Sequence, residues 1–186
     1  MAAIVPGNVP HVVSAHMAKD IVVWPDKVLN TPTAEVTDFG QALEELLAEM
    51  EVAVREAEGV GIAANQIGVP LRVALVGRGD GTFFEIVNPQ ILSREEPVTL
   101  REGCLSIPEE WEQVDRYRKV RVRYQDKTSA WHEVDAEGQL AHVFQHEIDH
   151  LNGTVYVMHL SNLKRGLIRE RMEKLKRLRK QKPVEE

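Results

Sequence analysis

The segment HVFQHEIDHLNG, residues 142–153, places two histidines four residues apart with a glutamate directly after the first. On a helix, residues four apart lie on one face, so His146 and His150 can both bind one metal ion. Glu147 is one position round the helix and points past the ion, where a base acting on water would stand. Alone, the pattern leaves open a catalytic metal site, a structural metal site and a buried helix that happens to contain histidines.

His142 lies on the same helical face and is a further candidate ligand. Eight residues at about 1.5 Å rise place His142 roughly 12 Å from His150, too far for both to reach one ion beside His146. We therefore exclude His142 as the third ligand. We predict that it lines the adjoining cavity or forms a local hydrogen bond.

The single cysteine, Cys104, lies in the segment REGCLSIPEEW and excludes an intrachain disulfide. A lone cysteine is more often a small buried side chain than a metal ligand. Here, however, Gly103 permits a close backbone approach and Pro108 ends the segment. Cys104 with His146 and His150 would form a three-ligand site with a fourth position left for water, which is typical of catalytic metal centres.

A third segment, GVGIAANQIGVP at residues 59–70, is rich in small residues. It is not a phosphate-binding loop, because no strand immediately precedes it and no Lys-Ser or Lys-Thr pair follows. One interpretation is a helix end and a turn leading into a strand at Leu71. The other is that small residues bring the backbone close to a ligand, while Gln66 offers its amide to an oxyanion.

Three helices that could position these residues follow from apolar spacing, over about residues 39–57, 136–151 and 162–181. Caps are predicted at Asp38, with Gln41 completing a capping box, and at Asp135, while Gly59 is predicted to stop the first helix. The second helix, which carries the histidines, is predicted to be largely buried.

Short β-rich runs occupy residues 71–76, 83–89, 119–126 and 131–134, and residues 20–30 predict an extended arm followed by a turn. Strands gathered between helices favour an α+β fold. We predict mostly antiparallel β-sheets around a central helix carrying the His-Glu-x-x-His motif, with an N-terminal and a C-terminal helix.

The whole chain fits one domain over residues 20–182, with 43% apolar residues and no apolar run long enough to span a membrane. Residues 1–19 are interpreted as a disordered leader, a tag or upstream sequence ahead of a start near Met17. The net charge is −6, yet residues 162–182 carry ten Lys/Arg against two Glu. This basic arm suggests a polyanionic partner or, alternatively, an ordinary solvated helix face.

Taken in order, GVGIAANQ, EGCLS and QHEIDHLNG resemble the three motifs of bacterial-type peptide deformylases, over residues 20–182. These enzymes remove formate from the N-formylmethionine of new polypeptides. The resemblance implies that Cys104, His146 and His150 bind the metal and that Glu147 is the acid–base residue. It also implies that Gln66 and the backbone N–H of Leu105 stabilise an oxyanion.

On the substrate side, the resemblance implies that Gly61 and Gly103 pair with the peptide as though it were an added strand. Further residues expected around the substrate and its methionine pocket are Val60, Ile62, Glu102, His142 and Val143. Position 142 is usually apolar in the family, so His142 departs from the pattern and bears on the side-chain preference.

The family's metal is usually Fe(2+), one ion per chain, with Zn(2+), Ni(2+) or Co(2+) as substitutes. Thiolate and imidazole ligands suit all four. The implied partners are N-formylmethionyl nascent peptides and the ribosome, bound near the tunnel exit by the C-terminal helix, in the cytoplasm and with no membrane or DNA involved. Two alternatives stay open: a metallopeptidase, although His159 lacks the spacing of a downstream ligand, and a non-catalytic ribosome-associated metal-binding protein.

Overall fold

A computed structural model describes residues 20–181 of the chain. The interpretation of residues 1–19 and the end of the domain at residue 182 therefore lie outside the described residues. The elements are α1 (Gln41–Glu56), β1 (Gly61–Ala63), β2 (Val73–Gly77), β3 (Phe83–Cys104), β4 (Ile107–Gln125), β5 (Trp131–Glu137), α2 (Gln139–Leu151) and α3 (Asn162–Gln181). The strands form one antiparallel sheet in chain order, so the predicted α+β class is confirmed.

Successive residues of β1 and β2 contribute to two hydrophobic cores, one packed against α1 and the other against α2. Ile62 and Leu75 pack with α1 on one face of the sheet. Ala63, Ala74 and Val76 pack with α2 on the other face. Successive strand residues point to opposite faces, so two short strands serve both cores. Ile62, which was expected near the substrate, is thus fully buried beneath α1.

The predicted cap of α1 at Asp38 is wrong. The helix begins at Gln41 with Gly40 as N-cap, and no side chain caps it. Asp38 lies two residues ahead of the N-cap, whereas a capping side chain must come from the N-cap residue itself. The helix ends at Glu56, three residues before the predicted stop at Gly59.

The predicted start of α2 at Asp135 is also wrong. Asp135 lies in β5, where it pairs with Arg121 of β4, and the pairing continues to Glu137. The chain turns only at Gly138, whose φ of 63° suits glycine, and α2 follows directly. Strand pairing therefore outweighed the capping preference of the aspartate.

β3 and β4 form a long ribbon of 22 and 19 residues, of which the predicted strands cover only one end. Pro97 is accommodated because β2 pairs with β3 only as far as Val87, which leaves the other edge of β3 open at the proline. The ribbon continues to Cys104 and turns back at Ile107. Its tip thereby brings the cysteine to α2.

The arm over residues 20–30 is extended and then forms a short 3-10 turn, Lys27–Asn30, capped by Asp26. Its backbone joins two of the motif segments, because Val22 donates to the Gln66 carbonyl and Trp24 to that of Ser106. α3 covers the arm with buried Ile168 and Met172. Within residues 20–181, none of the helices combines the length and apolarity needed to cross a membrane.

Candidate active site

Cys104, His146 and His150 come together between the tip of the β3–β4 ribbon and α2. Their ligand atoms all lie within 4.8 Å of one another, and Cys104 Sγ is 3.2 Å from His150 Nε2. Over residues 20–181 this is the one cluster of histidine, cysteine and acidic side chains that could hold an ion. The helical spacing and the hairpin tip thus produce the three-ligand arrangement expected from the sequence.

Glu102 lies directly behind this cluster. Its Oε1 accepts from His146 Nδ1 at 2.6 Å, and its Oε2 accepts from His142 Nε2 at 2.7 Å. Because a carboxylate only accepts, each ring donates from that nitrogen, which leaves Nε2 of His146 available as a ligand. Both carboxylate oxygens are thereby engaged, so we assign Glu102 to positioning in place of the substrate contact expected for it. His142 therefore forms a hydrogen bond, but with a residue of β3 40 positions away and not locally as predicted.

Arg116 completes the buried charge network. Its guanidinium donates to both oxygens of Glu102, at 2.9 and 2.7 Å, and to Asp149 Oδ2 at 2.6 Å. Burial disfavours the charged Glu102, but hydrogen bonds from His142, His146 and Arg116 lower the pKa of its carboxyl far below the usual range. Arg116 and Asp149 were not singled out in the sequence, since Arg116 is one of four arginines on β4 and nothing local distinguishes it from the others.

Glu147 has the environment of an acid–base group. The side chain is 3% exposed, and its Oε2 has no hydrogen-bond partner among the described residues. Burial raises the pKa of the Glu147 carboxyl to about 7. A carboxyl group with such a pKa can both take up and release a proton near neutral pH.

The Glu147 carboxylate packs directly against Gly61 of β1. A Cβ atom at Gly61 would lie 2.5 Å from Glu147 Oε1 and 2.9 Å from Val143 Cγ1. Only glycine leaves room for the carboxylate at this distance. Gly61 thus allows a close approach to the Glu147 carboxylate, and the predicted approach of this segment to a ligand stays a prediction.

Gln66 is fixed beside the thiol. It lies in a short turn, Ala64–Ile67, directly after β1. Its Oε1 accepts from the Ala63 N–H at 2.9 Å, so its Nε2 points to Ser106 Oγ at 3.2 Å and to Cys104 Sγ at 3.6 Å. Leu105 follows Cys104 at the hairpin tip. The amide of Gln66 thus points to the sulfur of the residue that precedes Leu105.

A cavity of about 510 Å³ opens between the C-terminal end of α1, the β2–β3 turn and the first turns of α2. Its lining includes Val60, Gln139 and Val143, of which Val60 is 56% exposed. Val60 and Val143, which the resemblance assigns to the methionine pocket, both line this cavity, and that assignment stays a prediction. On the other side of the ligand cluster, Gly103 is covered by the ring of Trp111.

The ligand set suits a divalent transition metal. One thiolate and two imidazoles are the borderline-soft ligands that iron, zinc, nickel and cobalt accept, whereas magnesium and calcium require oxygen. Burial lowers the pKa of His150 well below its usual value, which favours the neutral imidazole. Burial also acts to lower the pKa of His146, but interactions with Cys104 and Glu102 raise it well above the usual value, so metal binding would release a proton from His146. Protein side chains supply three ligands, so the site fits a catalytic ion that also binds water.

Comparisons with known proteins agree with this geometry. The family model for polypeptide deformylase matches residues 18–166. A peptide deformylase of Wolinella succinogenes is 40% identical over 164 residues, which cover 84% of this chain and 96% of that protein. One from Acidobacterium capsulatum is 40% identical over 168 residues, or 87% of this chain and 97% of that protein.

Solved structures give the same result. The crystal structure of a peptide deformylase from Legionella pneumophila superposes with a TM-score of 0.83 at 38% identity, covering 90% of this chain and 100% of that one. The Ehrlichia chaffeensis enzyme in complex with actinonin has a TM-score of 0.83 at 35% identity, covering 86% and 98%. The chain belongs to the polypeptide deformylase family.

Proposed function

We propose that this protein is a metal-dependent peptide deformylase, which hydrolyses the formyl amide of N-formylmethionyl peptides and releases formate and a free amine. The observation that carries the proposal is the buried carboxylate of Glu147, without a partner on Oε2, beside the cluster of Cys104, His146 and His150. A buried carboxylate oxygen without a hydrogen-bond partner is rare and needs an explanation. Here it can accept a proton from water and donate it to the amide nitrogen.

In this proposal Cys104, His146 and His150 hold the ion, and Glu147 moves the protons. The bound ion supplies Lewis acidity, which polarises the formyl carbonyl and lowers the pKa of water. Glu147 accepts the proton of the attacking water, because it is adjacent in sequence to the ligand His146 and its Oε2 has no hydrogen-bond partner among the described residues. It then donates that proton to the nitrogen of methionine as the C–N bond breaks. Formate and a free N-terminal methionine leave.

Negative charge collects on the formyl oxygen during attack, and two donors are assigned to it. Gln66 offers Nε2, whose direction is set by the bond from the Ala63 N–H to Oε1. Leu105 offers its backbone N–H from the hairpin tip. One donor of this kind contributes roughly 3 kcal/mol to transition-state stabilisation.

The substrate backbone is assigned to the gap between Gly61 of β1 and Gly103 at the end of β3. Both flank the ligand cluster, and a peptide that enters there as an added strand can bond to backbone on both sides. The methionine side chain would enter the cavity beside Val60 and Val143. The formyl carbon bears only hydrogen, so close walls around it would exclude a preceding residue.

Fe(2+) is our proposed physiological ion, one per chain, with Zn(2+), Ni(2+) or Co(2+) able to replace it. Thiolate and imidazole ligands accept each of these ions. Formate release measured anaerobically with each ion in turn tests this assignment. The highest kcat/KM is expected with iron, and an enzyme active with zinc but inactive with iron would contradict it.

The test of the mechanism is a variant that retains the metal and loses the chemistry. Glu147→Gln keeps the shape of the side chain but cannot accept a proton. We expect it to bind zinc as the wild type does and to release formate at least 100-fold more slowly, within the range attributed to general acid–base groups. Full deformylase activity in a metal-loaded Glu147→Gln variant would contradict the assigned mechanism.

The metallopeptidase alternative needs a third ligand after the helix. His159 instead donates to Asp149 at 2.9 Å and is absent from the ligand cluster. Incubation with formyl-Met-Ala-Ser and with unformylated Met-Ala-Ser distinguishes the two activities. Formate from the blocked peptide alone supports a deformylase, whereas cleavage of the Met–Ala bond supports a peptidase.

We also propose that α3 binds ribosomal RNA near the tunnel exit, in the cytoplasm where chains are synthesised. Several of its cations are directed inward: Lys164 pairs with Glu112, and Lys176 with Asp26. Lys174 and Arg177 instead line a shallow outer cavity of about 400 Å³. These two residues are therefore the proposed phosphate contacts.

Replacing both Lys174 and Arg177 by serine tests this contact. We expect weaker ribosome binding and a log–log salt dependence lower by roughly 1.5 units, at 0.7–0.9 per phosphate contact. Replacing Arg118 and Lys119 of β4 by serine removes the same charge and serves as control. Equal losses in both pairs would indicate a general charge effect and contradict the proposed contact.

A further inference from the structure

Trp111 is an exposed aromatic side chain beside the proposed substrate strand. It lies on β4 directly across from Gly103 of β3 and is 58% exposed. Its ring occupies the space that a side chain at position 103 would fill, since a Cβ there would lie 2.8 Å from the indole. The absence of a side chain at Gly103 thus lets the ring lie over the end of β3.

The ring lies on the sheet face opposite α2. Glu102 and Cys104 of β3 face α2, because they contact its histidines. Gly103 lies between them and faces the other way, as does Arg101. The Arg101 guanidinium lies 5.4 Å from the Trp111 ring centre. An indole and a guanidinium therefore form a small exposed platform on this face.

A peptide paired as an added strand presents successive side chains to opposite faces. If methionine enters the cavity on the α2 side, beside Val143, the next residue emerges on the face of Trp111. β3 lies between β4 and this substrate strand, a separation of roughly 10 Å, and the Trp111 ring reaches across it by lying over Gly103, which has no side chain. This placement of the second residue rests on the proposed function, because it assumes that the substrate binds as an added strand beside Gly103.

We propose that Trp111, with Arg101, forms the subsite for the side chain of the second residue of the substrate. The flat indole favours apolar and aromatic side chains, which bury area against it. The guanidinium disfavours lysine and arginine at the same position. The affinity of the enzyme for a nascent chain therefore depends on the residue that follows methionine.

The contact lies one residue from the formyl group and is the same before and during hydrolysis. An interaction that is equal in the ground state and the transition state changes KM and leaves kcat unchanged. A purely structural role for Trp111 would change the rate on every peptide alike. The split between KM and kcat, peptide by peptide, distinguishes the two roles.

The test compares formyl-Met-Leu-Ser with formyl-Met-Gly-Ser. Trp111→Ala is expected to raise KM for the leucine peptide about tenfold, to leave the glycine peptide within twofold and to leave both kcat values unchanged. Trp111→Phe keeps an aromatic ring and should restore most of the preference. The matched control is Trp131→Ala on β5, a tryptophan 46% exposed with Arg123 at 4.3 Å from its ring, which should change neither peptide.

A second readout needs no catalysis. In a Trp131→Phe background, Trp111 is the one exposed tryptophan, since Trp24 is buried. Unformylated Met-Leu-Ser should quench or shift its fluorescence on binding, and Met-Gly-Ser should bind about tenfold more weakly. Equal KM changes for both peptides in Trp111→Ala, or none, would overturn the subsite. A wild type that releases no formate but still prefers Met-Leu-Ser in fluorescence would overturn the proposed function alone.

Discussion

A methyl group at Gly61 would meet the side chain that the mechanism depends on most. In Gly61→Ala the new Cβ would lie 2.5 Å from Glu147 Oε1 and 2.9 Å from Val143 Cγ1. Ordinary contacts between nonbonded heavy atoms are about 3.5 Å, so the carboxylate or β1 must move by roughly 1 Å. Glu147 is 3% exposed and cannot swing into solvent.

The magnitude follows from two general costs. Overpacking a well-filled interior costs about 1–3 kcal/mol of stability. A misplacement of roughly 1 Å in a catalytic group costs about 100-fold in rate. We therefore expect Gly61→Ala to be folded, about 2 kcal/mol less stable and about 100-fold lower in kcat.

Urea unfolding and formate release measure these two effects. Gly166→Ala on α3 is the control, because nothing lies within 4 Å of the added methyl there, and it should keep full activity. In a Glu147→Ala background the clash with the carboxylate is gone, so the stability cost of Gly61→Ala should fall by about 1 kcal/mol. Wild-type kcat in Gly61→Ala, or an identical cost in both backgrounds, would refute the reasoning.

Three further predictions concern the pH dependence, the charge network and the turn after α2. Glu147 must be ionised to accept a proton, and a bound cation lowers the pKa that burial raises to about 7, so the acidic limb of kcat should lie below pH 7 in the loaded enzyme. Glu102→Gln should weaken zinc retention against a chelator by about 10–100-fold and, because it leaves Arg116 with Asp149 as its remaining ionic partner, reduce stability by about 1–3 kcal/mol, whereas Glu96→Gln at the surface should change neither. Gly153→Ala, at φ of 73° and with its Cβ 2.7 Å from neighbouring backbone, should lose roughly 2 kcal/mol or more of stability in urea and keep its kcat.

Much of the fold was predictable where a single periodicity dominated. The apolar spacing of α1 and α3 located both helices, because each buries one face. The β3–β4 ribbon was largely missed, since residues 93–101 and 109–119 are rich in charged residues and contain Pro97. Residues 92–97 of β3 are exposed on both faces and β4 alternates between buried and exposed residues, so apolar content alone underestimates the length of the ribbon.

The metal ligands were predictable from short-range residue spacing and from the order of the sequence motifs. His146 and His150 follow from helical geometry, and Cys104 from the order of the motifs. The role of Glu102 had a signal that could have been used: residues two apart on a strand share a face, so Glu102 points the same way as Cys104. Arg116 had none, because only the register of β4 brings it beneath that carboxylate.

The central claim is that the metal-loaded chain removes formate from a formylated N-terminus. The most direct measurement is the release of formate and of free amine from formyl-Met-Ala-Ser by the Fe(2+)-loaded protein under anaerobic conditions. We predict one formate for each Met-Ala-Ser produced, with the Met–Ala bond intact. The account is contradicted if iron, zinc and nickel each fail to give formate, or if the Met–Ala bond is cleaved without its release.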